Sequence, residues 1–223
     1  MTKKNKIIQF GEDVKGYNIP VLNEREIRAS SGIFFLIMLI SLILIIFQGN
    51  FIMIKFVVIA FLTDFIIRVF VNPKFSPSLI IGRLIVSRQT PEYVGAAQKK
   101  FSWKIGIILA SLMFVLLVLM NSYSILTGLT CLICLIFLFF ESSFGICLGC
   151  LFYGWFYKEK AQYCPGEICD VKQKQEIQKT SKVQILIVFG FVAYIVISVI
   201  LLQDYLSQNP SNLWEILGLA SSK

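Results

Sequence analysis

Every cysteine of the chain lies between Thr130 and Asp170, and the six fall into three close pairs: Cys131/Cys134, Cys147/Cys150 and Cys164/Cys169. The first two pairs are C-x-x-C and the third is C-x-x-x-x-C. Thiolates attack disulfides, carry sulfur and bind soft metals, and paired spacing serves all three uses. The chain has no histidine. That removes the commonest general base and every imidazole ligand, leaving Cys, Asp, Glu, Tyr, Lys and Arg for any chemistry.

The three pairs occupy different surroundings. Cys131 and Cys134 are one helical turn apart in an apolar run, close enough to bridge. Burial among Leu, Ile and Phe makes a thiol a poor nucleophile, so packing is the competing reading for this pair. Ser142, Ser143 and Gly145 interrupt that run, and Cys147 then falls near a possible new helix start, where partial positive charge favours thiolate. Cys164 and Cys169 flank Pro165-Gly166, the centre of a type II turn that would bring them together.

Zinc is the metal that an all-cysteine site would take. In a continuous helix Cys134 and Cys147 are about 20 Å apart, so the first two pairs cannot share an ion. Cys147, Cys150, Cys164 and Cys169 form the one workable set. The aromatic stretch Phe152, Tyr153, Trp155, Phe156 and Tyr157 argues against it, because it resembles an interfacial belt. Four charged residues inside or bordering apolar runs complete the candidates. Asp64 and Arg68 are an i,i+4 pair, Arg83 sits in a short apolar segment, and Glu141 is seven residues past Cys134 on nearly the same face. Such residues are candidates for proton handling or anion contact, against the alternative of structural ion pairing.

The elements that must hold these residues are transmembrane helices. Of the 223 residues, 57% are hydrophobic and 15% charged; mean hydropathy is +0.76. Soluble domains are less apolar and more charged. Five apolar segments run from about 31–47, 51–71, 101–120, 122–147 and 183–202, each near the length that crosses a bilayer. Residues 1–30 carry six Lys/Arg, 72–100 five and 151–182 six, whereas the turns at 48–50 and 121–122 carry none. That asymmetry predicts a cytoplasmic amino terminus and an external carboxyl terminus. It also explains the net charge of +8 without nucleic acid.

The expected fold is therefore an all-α polytopic membrane bundle of four core helices plus a fifth, with short interfacial helices. Its regions are a cytoplasmic N-terminal segment (1–30), a four-helix core (31–150) with a cytoplasmic loop at 72–100, a cytoplasmic cysteine loop (151–182), and a fifth helix with an external tail (183–223). Asn23 followed by Glu24 and Glu26 predicts a helix start on the cytoplasmic surface. Ser76-Pro77 predicts another, with a short helix over 78–87 at the interface or under the bundle. Lys55 is expected to snorkel, and Trp214 to sit at headgroup depth.

Four runs carry a family resemblance: Asn23-Glu24-Arg25-Glu26-Ile27-Arg28-Ala29; Asp64-Phe65-Ile66-Ile67-Arg68-Val69-Phe70; Asn72-Pro73-Lys74-Phe75-Ser76-Pro77; and Phe144-Gly145-Ile146-Cys147-Leu148-Gly149-Cys150. Together they resemble a bacterial family of small integral-membrane proteins, the domain of unknown function numbered four-three-nine-five. The likeness covers roughly Tyr17 to Cys169, leaving the fifth helix as an addition. The resemblance implies a bacterial inner-membrane location and the cysteine pattern, with sulfur metabolism and thioredoxin-like proteins as associations, but no reaction.

Three functions compete on this reading. The first is a thiol relay in which Cys164/Cys169 exchange with a thioredoxin-like or sulfurtransferase partner, Cys147/Cys150 act next and Cys131/Cys134 lie deepest. The second is a conduit for a small sulfur anion such as thiosulfate or sulfide, drawn by Arg68 and Arg83. The third is a non-catalytic subunit with a structural zinc on the cysteine loop.

Overall fold

The structure is a computed structural model, and it describes residues 10–149 and 179–213. Polar side chains start its helices where the sequence places them. Strand β1 (Val21–Asn23) leads directly into α1 (Glu24–Gln48), and the Asn23 side chain accepts the Arg25 N–H. Gly49 closes α1 in the left-handed region (φ 63°), its N–H reaching the Ile45 and Leu44 carbonyls. A glycine there avoids the steric cost that a side chain would meet. The N-terminal helix start and the first span are thus one continuous helix.

The chain returns through α2 (Ile52–Ile66), whose last turn widens into a π-turn over Ile67–Val71. Pro73 and Pro77 cannot donate to a continuing helix, and the chain turns there. Ser76 caps α3 (Pro77–Ile85) by accepting the Leu79 N–H, with Pro77 at the first position. Strand β2 (Tyr93–Gly95) pairs antiparallel with β1. Next, α4 (Ala96–Met113) also ends in a π-turn, Phe114–Leu119. After β3 (Ser122–Tyr123), α5 (Ile125–Phe139) opens on a Ser124/Thr127 capping box and finishes in a third π-turn, Phe140–Phe144. Finally α6 (Lys182–Leu206) opens on a Ser181/Gln184 box and leads to β4 (Ser211–Asn212), parallel to β3.

Among the described residues four helices are long and apolar enough to cross a membrane: Glu24–Gln48, Ala96–Leu119, Ile125–Phe144 and Lys182–Leu206. The protein is a multi-pass membrane helix bundle. The expected second span, α2 with its π-turn, carries Lys55, Asp64 and Arg68, all buried. The core lies where α1, α2, α4 and α5 meet. Phe61 and Phe65 stack there with ring centroids 4.0 Å apart, and Phe34 meets both edge-on. Gly106 admits the Phe65 ring, which a Cβ would approach to 2.7 Å. By contrast α6 buries only Gln184, Ser198 and Leu206 and turns most of its apolar surface outward.

One expectation changes, and another resolves to one of its two alternatives. Lys55 does not snorkel: it is 1% exposed, and its ammonium donates to Asn121 Oδ1 and to the Leu206 and Gln208 carbonyls. The carbonyl end of α6 carries partial negative charge and suits a cation. The short helix α3 packs under the bundle against α1, burying Ser78, Leu79, Ile80, Gly82 and Arg83. Trp214, most of the 151–182 loop and residues 1–9 lie outside the described residues.

Candidate functional site

Buried stripes on α1, α4 and α5 bring the candidate residues together at the end of the bundle that carries β1 and β2, the sheet end. Along α5 the buried positions are Thr127, Thr130, Cys131, Cys134 and Leu138, with Glu141 following in the π-turn. Along α4 they include Lys99, Trp103, Ala110 and Met113, and along α1 Glu24, Ile27, Ser31, Phe34 and Met38. Steps of three and four residues keep each set on one helical face.

Lys99 stands where the three stripes converge. Its ammonium is 2.8 Å from Glu24 Oε2, 3.0 Å from Glu24 Oε1 and 2.8 Å from Glu141 Oε1. The hydroxyl of Ser31 donates to Glu141 Oε2 at 3.0 Å. Lys99 and Glu24 are wholly buried, and Glu141 is 8% exposed. Of this trio only Glu141 was legible as a candidate from sequence. Lys99 looks like any juxtamembrane lysine beside Lys100. Its register with Trp103, Ala110 and Met113 is the signal that separates it.

Asp64 and Arg68 do meet, at 2.7 Å. Ser76 Oγ and the Ser78 N–H donate to Asp64 Oδ1, and Ser78 Oγ donates to Oδ2. The Arg68 guanidinium donates further to Ser30, Ser76 and Ser78 and lies over the Phe65 and Trp103 rings. This network fastens the start of α3 and the flank of α1 to α2. Arg83 donates to Glu26 Oε2 at 3.1 Å, while Asn23 holds Glu26 Oε1. A shallow cleft of about 340 Å³ beside them is lined by Glu12, Asn23, Glu26, Asn72, Lys74 and Arg83, and no cysteine is among its lining residues.

Cys131 and Cys134 are free thiols, 4% and 6% exposed. Two cavities meet at Cys134 and Phe61. One, of about 260 Å³, is lined by Met38, Val58, Phe61, Met113, Cys131 and Cys134. The other, of about 370 Å³, runs toward the sheet end past Phe61, Phe65, Ser102, Trp103, Cys134 and Glu141. The Cys134 thiol and the Glu141 carboxyl thus border one space.

The fourth apolar segment is interrupted as Ser142, Ser143 and Gly145 suggested. Gly145 takes φ 68° and ends the π-turn. Arg28 covers it and donates to the Ser142 and Ser143 carbonyls. Helical backbone resumes at Leu148, directly after Cys147. Gly149 then packs so closely on Ser102 that no side chain would fit without movement. Cys150, Cys164 and Cys169 lie outside the described residues, so the zinc set shares only Cys147 with them. Among the described residues no group of three or more Cys, Asp or Glu is arranged to hold a metal.

A membrane bundle with a buried dithiol and a buried charge cluster is the class that fold and site define. The chain belongs to the family described as a domain of unknown function, DUF4395, whose model matches residues 22–158. The match contains the charge cluster and the first two cysteine pairs; α6 lies beyond it. No curated protein and no solved structure matches the chain.

Proposed function

We propose that the protein is a membrane thiol protein that passes electrons or sulfur between paired cysteines and a thiol partner at the cytoplasmic side of a bacterial inner membrane. The observation that carries this reading is the shared cavity: Cys134 and Glu141 line one space, and Gly149, two residues from Cys147, packs on Ser102 in its wall. The Lys/Arg-rich connections 1–30, 72–100 and 151–182 support a cytoplasmic sheet end.

In exchange, the Cys147 thiolate attacks a disulfide of a thioredoxin-like partner, and one partner sulfur leaves as thiolate and takes up a proton. The Cys150 thiolate then attacks the Cys147 sulfur and releases the second partner thiol. Two electrons and two protons have passed to the partner, and Cys147–Cys150 is the new disulfide. In the sulfur-carrying form, a cysteine thiolate takes the outer sulfur of a partner persulfide, and the partner keeps a thiol. The deep pair Cys131/Cys134 borders the two cavities. Where Cys164/Cys169 meet the partner first, they run the same two steps on it, and the disulfide they then form is reduced in turn by Cys147/Cys150. The anion-conduit alternative would rest on Arg68 and Arg83, which pair with Asp64 and Glu26 in the fold.

The test is to acid-trap thiols in intact membranes, alkylate them differentially and map each cysteine by mass spectrometry. Paired oxidation that resets when a cytosolic dithiol reductant is supplied is the expected result. Cys147→Ser should abolish that exchange and Cys131→Ser only slow it. Six cysteines that stay reduced under every condition would overturn the proposal.

A further inference from the structure

Met38 of α1, Met113 of α4, and Cys131 and Cys134 of α5 line one cavity, together with Val58, Phe61 and Ala110. Each of the four is at most 6% exposed, and they are every buried Cys and Met among the described residues. Methionine and cysteine fill core gaps as soft apolar groups, and packing alone would scatter them. This core is built mainly of Leu, Ile, Val and Phe over several helices, yet its sulfur is gathered at one place. Helical register puts it there. Met38 continues the buried stripe of Ile27, Ser31 and Phe34, and Met113 that of Trp103 and Ala110. Cys131 and Cys134, one turn apart, share the buried face of α5.

The donor chemistry selects the occupant. Val58, Phe61 and Ala110 carry no side-chain oxygen or nitrogen, so hard cations, which bind through oxygen, find no side-chain ligand. Zinc is held by thiolate, imidazole and carboxylate, and half of this set is thioether. Thiolate and thioether together suit copper(I). Charge points the same way, because the cysteines are the only lining residues that can ionise. A monovalent ion on one thiolate is neutral, whereas a second thiolate would leave a bare charge in an apolar interior. Met38 and Met113 supply donors that add no charge.

We propose that Met38, Met113, Cys131 and Cys134 form a binding site for one copper(I) ion. On binding, one S–H bond breaks, a Cu–S bond forms and the proton passes to the medium, with no change in oxidation state. Either cysteine can be the one that ionises. The site goes beyond the thiol reading, since it requires neither Cys147 nor a partner protein. A filled site withdraws the deep pair from exchange and leaves the chemistry of Cys147 and Cys150 untouched.

The experiment uses the full chain in lipid nanodiscs, without oxygen, with Cys147, Cys150, Cys164 and Cys169 replaced by Ser so that only the deep pair can bind. Copper(I) is supplied as its bicinchoninate complex, whose colour is lost when the protein takes the metal. One ion per chain and one proton released per ion are expected, and an equal concentration of zinc should not compete. Met38→Leu and Met113→Leu conserve volume and keep both thiols. Each should weaken binding at least about tenfold, the loss that even outer-shell changes cause. No uptake, or an affinity unchanged in both variants, would overturn the site, and displacement by zinc would overturn the choice of ion. A wild-type measurement decides the matter if the variants fail to fold. In methyl NMR spectra, two of the five methionine signals should shift on adding copper(I), and unmoved signals would overturn the site. Failure of the thiol reading is visible separately, as cysteines that never change oxidation state while the copper titration stands.

Discussion

Asp64 accepts from Arg68 Nε, Ser76 Oγ, the Ser78 N–H and Ser78 Oγ, so its negative charge is fully surrounded by donors. Arg68 in turn joins Ser30 of α1 to Ser78 of α3. Removing one member leaves its partner charged, buried and alone. Arg68→Met should therefore lower stability by about 3–5 kcal/mol. The double replacement Asp64→Leu/Arg68→Met should recover much of that loss, because an apolar pair requires no compensation. Thermal unfolding in detergent, followed by circular dichroism, measures both; a single variant as stable as wild type would contradict the fastener role. The contrast with Lys99 is one of stoichiometry. Asp64 has its own cation, whereas Lys99 is divided between two carboxylates.

At the scale of elements, α3 is held against α1 by proximity as well as by charge. A Cβ on Gly82 would lie 2.5 Å from the Glu26 carbonyl oxygen, and backbone cannot yield as a flexible side chain can. Gly82→Ala should push α3 outward, loosen the Arg83–Glu26 pair and cost about 1–3 kcal/mol. Faster amide exchange in α3 than in α4 would register the displacement. The helix starts at Asn23, Ser76-Pro77 and the break near Gly145 were legible, because caps and breakers act locally. Span lengths were legible because the bilayer sets them. The π-turns were not: Ile67–Val71, Phe114–Leu119 and Phe140–Phe144 read as ordinary apolar helix, and only packing against neighbours decides where one extra residue is accommodated. Lys99 and Glu24 were overlooked for a related reason. Their charge pointed to the surface, while their register with Trp103 on one helix and Phe34 on the other pointed inward. Lys55 misled in the same way, since its acceptors lie 66, 151 and 153 residues away in sequence.

For the molecule as a whole, two small pairings close opposite ends of the bundle. Strands β1 and β2 join at one end, and β3 and β4 at the other, where the turn at Gly49-Asn50 and the end of α6 also lie. The proposed orientation makes the second end external. In a cysteine-free background, an impermeant maleimide should label Asn50→Cys and Ser207→Cys on intact cells. It should reach Gln89→Cys only after the cells are opened. The reverse pattern would invert the topology and detach Cys147 from any cytosolic partner.

Lys55 also imposes an order on biosynthesis. Its carbonyl acceptors at Leu206 and Gln208 follow it by 151 and 153 residues, roughly 8–30 s of translation at ordinary elongation rates. Throughout that interval the second helix carries an ammonium that the finished protein buries. It must stay near water or lean on Asn121 once that residue has emerged. Arrival of the last helix end is then the step that removes a charge from water, and docking of α6 works as a latch on a bundle already assembled. A ribosome that stalls before Leu206 would leave a chain with every family motif in place and the latch open.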